Sequence, residues 1–229
     1  MSLILNIETA TTACSVSLGQ NGKLLALKEL NADYTHAENL TLFIEEVMKQ
    51  SGKKLSQLDA IAVSKGPGSY TGLRIGVSTA KGLCYALEKP LISIDTLRSL
   101  AFAVVGVEEW QADTLCCPML DARRMEVYCA VYDSGLNCIR ETAAEIIDEN
   151  SFSDLLKDRK VIFFGDGAAK CKEVLSKNAN AGFIDNIFPS AKDLVALSES
   201  AFNHKQFEDL AYFEPFYLKD FVAGKKKVN

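Results

Sequence analysis

The sequence predicts an α/β protein made of two similar halves with a cleft between them. Three observations carry that expectation. A meander of three strands between Leu3 and Leu30 leads into alternating helices and strands. A glycine turn follows a short apolar run twice, in "VSKGPGSYTGLRIG" (63–76) and in "KVIFFGDGAAKCKEVL" (160–175). Sliding the chain by 113 residues places Glu8 on Asp121, Leu18 on Val131 and Gly22 on Gly135, so the element pattern repeats where identities do not. The polar stretch "GVEEWQAD" divides the chain into halves 1–107 and 108–229, and the last helix is expected to pack back on the first half.

Each element has a local reason. Leu3 to Ile7 is an apolar run and Ala13 to Leu18 alternates, as a half-buried strand does. Asn21-Gly22 is a strong hairpin signal between the second and third strands. In "THAENLTLFIEEVMKQSG" Thr35 and Glu38 form a capping box, and Gly52 stands where a helix ends in a left-handed residue. The apolar stripe of that helix is Ala37, Leu40, Phe43, Ile44, Val47 and Met48. A strand near Ala60 to Ser64, a helix from Tyr70 to Leu87, and a strand from Pro90 through Ile94 follow. Asp95 caps a further helix ending near Val105. In the second half "PMLDARRMEVYCAVYDSGLNCIRET" reads as strand, acidic turn, alternating strand, glycine turn and strand, then a helix-strand-helix series.

Composition narrows the function. The 229 residues are 48% hydrophobic and 24% charged, with a net charge of -5, which argues against autonomous nucleic-acid binding. The basic run Lys225 to Lys227 reads as a solvated tail. Seven cysteines show no metal or disulfide spacing: Cys14, Cys84, Cys129 and Cys171 sit among apolar or small neighbours, and Cys116 and Cys117 are adjacent. That pattern, with no basic residue before Lys23 and no apolar stretch longer than Leu100 to Val107, predicts a cytoplasmic protein without a membrane span.

The first glycine turn fits neither phosphate motif. It has no Gly-Lys-Ser/Thr, and Thr71 stands where the third glycine of G-x-G-x-x-G belongs. Gly72, Gly76, Ala80 and Cys84 recur at helical spacing instead, making a shallow face that lets another backbone approach. Each helical glycine costs about 1 kcal/mol, so this face predicts tight packing, against the same domain or against a second subunit. His36 and His204 have no third ligand at metal spacing; the first reads as surface and the second suits a helix C-terminus. Glu8 and Asp121 are the best-placed acids, at strand ends facing the cleft, with plain turn stabilisation as the simpler account.

"LNIETATTACSVSL", "VSKGPGSYTGLRIGVSTAKGLCYALEKPLISIDTL" and the late "EPFYLK" together resemble the TsaB (YeaZ) family, strongly over the first hundred residues. The resemblance implies a duplicated actin/Hsp70-like (ASKHA) fold with two βββαβα-type halves. It implies a non-catalytic paralogue of TsaD that serves threonylcarbamoyladenosine modification next to the tRNA anticodon. Its implied partners are a TsaD-like subunit and a TsaE-like ATPase, with tRNA reached through the complex and a homodimer formed in isolation. No catalytic residue, metal or cofactor is expected. The paralogue's two metal-binding histidines fall on Thr96 and Leu100, its metal-binding aspartate near Ala191, its acidic pair on Thr12 and Ala13, and its Gly-Gly pair on Gly165-Asp166. Glu8, Asp121, Gly165 and Asp166 would then line a degenerate cleft. The family pairs through its first two helices, which places Leu40, Phe43, Ile44, Val47, Met48, Gly72, Leu73, Gly76 and Ala80 at the partner interface. An active ATP-dependent enzyme of the same fold, or a glycoprotease-like peptidase, is the competing reading.

Overall fold

A computed structural model describes residues 2–31, 36–106 and 113–219, with side chains from residue 39 onward in the second of these segments. The capping box at Thr35 and Glu38, the Ala37 and His36 side chains, most of the polar break and the Lys225–Lys227 run lie outside the described residues.

Strands β1 (Leu3–Glu8), β2 (Ala13–Gln20) and β3 (Lys23–Asn31) form the expected antiparallel meander. Both central residues of the β2–β3 turn have positive φ, 51° at Asn21 and 72° at Gly22, the conformation that favours this residue pair. Helix α1 (His36–Ser51) leads through a short 3₁₀ turn to β4 (Ala60–Gly66), then α2 (Tyr70–Leu87), β5 (Leu91–Asp95) and α3 (Thr96–Val105). Asp95 caps α3 as its sequence position predicts, its carboxylate accepting from the Arg98 amide at 3.0 Å.

The second half repeats the order with β6 (Leu115–Asp121), β7 (Glu126–Tyr132), β8 (Cys138–Ile146), α4 (Ser153–Leu156), β9 (Val161–Phe164), α5 (Ala168–Leu175), β10 (Ala181–Ile184) and α6 (Ala191–Asn203). The first sheet runs β3-β2-β1-β4-β5 and the second β8-β7-β6-β9-β10, so each has two antiparallel pairings followed by two parallel ones. One element differs from expectation. α4 is a single four-residue turn where the first half has the 16-residue α1.

The halves exchange their closing helices. One face of the first sheet packs on α1 and α2 through Leu5, Ile7, Val47 and Val77, all buried. Its other face is covered by α6, where Leu194 and Ala201 meet Ile4, Ala62 and Ile94. Conversely α3 belongs to the second sheet, with Leu97, Leu100 and Val104 on Cys116, Leu120 and Phe164. The opposite face of that sheet is closed by α4 and α5.

After α6, which ends with His204 Nδ1 2.7 Å from the Ser200 carbonyl, the chain returns across the first half. Glu208 bridges to Leu91 at the sheet edge, and Leu210 and Phe213 pack on the first core. The Phe216 amide donates to the Lys65 carbonyl at 2.7 Å, and the Tyr217 ring lies 5.0 Å from that of Tyr70. Lys219 then pairs with Glu126 of β7, tying this strap to the second half.

Candidate functional site

The glycine turn is built around the β1–β2 turn of the same chain. Ser69 caps α2, accepting from the Gly72 amide at 3.3 Å, while its own amide donates to the Ala10 carbonyl at 2.6 Å. A Cβ at Gly68 would stand 2.2 Å from the Ala10 oxygen, one at Gly72 would stand 2.1 Å from the Thr9 oxygen, and one at Gly76 would meet Thr9 Oγ1 at 2.2 Å. Thr9 Oγ1 closes the contact by donating to the Gly72 carbonyl at 2.9 Å. The bare backbone is needed for packing inside one domain.

That placement corrects the expected interface. Leu40, Phe43, Ile44, Val47, Met48, Gly72, Leu73, Gly76 and Ala80 are all buried within the chain, and Val47 and Ala80 have no exposed surface at all. The physical reason is that α1 and α2 lie side by side on one sheet face, so each apolar stripe points into the sheet. What the two helices turn outward is a different set, including Leu42, 53% exposed, and Tyr85, 81% exposed.

The two acids at the strand ends are not equivalent, contrary to expectation. Glu8 is sealed: Oε1 accepts from the Ala10 amide at 2.6 Å and from Ser64 Oγ at 2.8 Å, while Oε2 has no hydrogen-bond partner among the described residues. Burial pushes its carboxyl up to about 7, and the charge of Asp193 pushes the same way. Asp193, in the first turn of α6, is itself raised to about 6 by burial. Asp121 is exposed, paired with Lys170, and accepts from the Arg123 amide at 3.0 Å. Asp166 accepts from the Asp121 amide at 3.1 Å, and burial raises its carboxyl. Gly165 beside it has φ +102°, and a Cβ there would lie 2.2 Å from the Met119 oxygen, so this glycine serves the turn.

The three positions matched to metal ligands in the paralogue are built into the framework. Thr96 is buried and its Oγ1 accepts from the Gly66 amide at 3.2 Å. Leu100 is wholly buried in the α3 core. The Ala191 amide donates to Ser15 Oγ at 2.8 Å, and its carbonyl accepts from Ser17 Oγ at 2.7 Å. Thr12 is exposed and donates to Asn31 Oδ1 at 3.1 Å. Among the described residues no group of three or more His, Cys, Asp or Glu side chains is placed to hold a metal ion, and no helix is long and apolar enough to cross a membrane.

Two cavities were beyond sequence reasoning. One, of about 540 Å³, lies between Ser15, Glu29, Val104, Phe188, Ser190 and Asp193. The other, of about 680 Å³, lies under the returning strap between Lys65, Asp95, Glu141, Glu208 and Phe216. Each joins residues from both ends of the chain. The one local signal was the small polar alternation Ser15, Ser17 in β2, which points toward α6.

Residues 30–227 match the family model described as "TsaD: tRNA N6-adenosine threonylcarbamoyltransferase". The chain is 31% identical over 238 residues to the "tRNA threonylcarbamoyladenosine biosynthesis protein TsaB" of Haemophilus influenzae, covering 97% of this chain and 96% of the relative. It is 31% identical over 229 residues to the protein of the same name from Escherichia coli, covering 97% of each. The solved structure "YeaZ from Pseudomonas aeruginosa" superposes with a TM-score of 0.79 at 27% identity, covering 95% of this chain and 100% of that one. With its twin sheets of one strand order, the chain has the duplicated actin/Hsp70-like fold and belongs to the TsaB (YeaZ) family.

Proposed function

We propose that this chain is a non-catalytic subunit of the machinery that installs threonylcarbamoyladenosine next to the tRNA anticodon. In this reading it binds a TsaD-like subunit and a TsaE-like ATPase in the cytoplasm, and tRNA reaches it through that complex. One observation carries the non-catalytic part. The positions that hold metal in the paralogue are committed to folding here: Leu100 to a core, Thr96 and Ala191 to buried hydrogen bonds. Recovering a metal site would require dismantling the contacts that hold α3 and α6 in place.

The docking surface in this reading is the outer face of α1 and α2, around Leu42 and Tyr85, which also pairs two copies of the chain when no partner is present. The test is co-purification with the TsaD-like protein of the same host, together with calorimetry of the isolated chain against Mg-ATP. Co-purification without micromolar ATP binding is the expected result. Turnover of ATP that follows this chain through purification overturns the reading.

A further inference from the structure

The turn joining β6 to β7 is built in a way that local energetics disfavours. Arg123 and Arg124 are consecutive and both adopt positive φ, 70° and 52°. Among the described residues they are the only adjacent non-glycine pair to do so. The same chain makes its β2–β3 turn with Asn21-Gly22, the residues suited to that backbone. Paired left-handed arginines persist only where the surroundings or a function hold them.

Their surroundings leave the two guanidinium groups uncompensated. Both side chains are exposed, and neither has a carboxylate partner among the described residues. The acids flanking the turn are already engaged. Asp121 pairs with Lys170 and Glu126 with Lys219. Asp148, which follows the residue bonded to the Met125 carbonyl, accepts from the Asn150 amide and Ser151 Oγ. The two arginines therefore stand as an uncompensated positive pair in a chain whose net charge is -5.

We infer that this turn contacts the phosphate backbone of tRNA. Two exposed, unpaired guanidinium groups with no enclosing pocket suit an extended polyanion rather than a small ligand, since each engages a phosphate through its planar fork. Choosing tRNA as the polyanion rests on the function proposed above. The contact adds affinity without sequence preference, while the partner subunits place the modified base.

The informative variant is Arg123→Asn/Arg124→Gly, because it relaxes the backbone while removing the charge. It should melt at a higher temperature than wild type, so a loss of binding cannot be assigned to misfolding. Filter binding of unmodified tRNA transcript to the complex of the full chain with the TsaD-like protein, over a salt series starting near 50 mM, should show the complex built with the variant at least fivefold weaker. The slope of log K against log salt should shrink by about 1.8, at ~0.9 per phosphate contact in duplex arms. Arg123→Lys/Arg124→Lys should retain the slope. Equal tRNA binding by wild type and the Asn/Gly variant overturns the inference, as does absence of binding by wild type. Binding to phosphatidylserine vesicles in place of tRNA overturns it too. Co-purification with the TsaD-like protein is scored separately, so failure of the proposed function is distinguishable from failure of this contact.

Discussion

Glu8 keeps its proton to a higher pH in the fold than it would in the unfolded chain. Its carboxyl titrates at about 7 in the fold against 4.5 unperturbed, so between those values the folded state binds more protons than the unfolded one. Stability from this group is fully present below pH 4.5 and is lost as pH rises through about 7. The span corresponds to at most roughly 3 kcal/mol. Glu8→Gln should therefore flatten the pH dependence of stability between pH 5 and 7.5, measured by urea denaturation. A shallower slope of the same sign should survive from Asp193, raised to about 6 by the same cause. An unchanged slope would show that Glu8 is ionised in the fold. At Gly72 the neighbour is backbone: an added Cβ lies 2.1 Å from the Thr9 oxygen. Gly72→Ala should destabilise by about 1–3 kcal/mol through overpacking, read as a lowered melting temperature. Val47→Glu should leave little folded protein, because it places an unpaired charge at a site with no exposed surface.

Helices α1 and α2 mark what their own sequence can and cannot announce. Their extent and their small or apolar faces were legible, since the spacing of Leu40 to Met48, the spacing of Gly72, Gly76 and Ala80, and the left-handed Gly52 after α1 are all local signals. What the stripes face was not legible. The same spacing of Leu40, Phe43 and Val47 serves a sheet or a partner equally, and only the tertiary arrangement decides for the sheet. The missing equivalent of α1 in the second half, a single turn at Ser153–Leu156, shows the limit of arguing by repeat. The sealing of Glu8 was equally hidden, because Ser64, which donates to its carboxylate, comes from a strand 56 residues later in the chain. For docking, the outward side chains are the ones to change. Leu42→Glu and Tyr85→Arg sit at exposed positions, so both variants should melt like wild type. Each should weaken binding to the TsaD-like partner by about tenfold or more, as loss of a central apolar or aromatic anchor does. Wild-type affinity in both variants, by pull-down and calorimetry, would move the docking surface elsewhere.

Across the whole molecule, the exchanged helices make the two halves mutually dependent. The first sheet is closed by α6 and the second by α3, each encoded on the far side of the polar break. Fragments 1–112 and 113–229 expressed alone should lack a cooperative melt, because each leaves one sheet face uncovered. Co-expression should restore a single transition and a soluble complex. Two independent melts would mean that each half is stable without its borrowed helix. The cavity of about 540 Å³ is lined by residues of both exchanged helices, Val104 of α3 and Asp193 of α6 among them, which is why no local motif announced it. The same arrangement imposes an order on biosynthesis. Ile4, Ala62 and Ile94 leave the ribosome early, yet the helix that shields them ends at Asn203. At ~5–20 residues per second that apolar face, complete at Ile94, stays open to water for roughly 5–20 s of translation. A message cut short before α6 would release a chain that contains most of the fold and still presents a bare sheet to its neighbours.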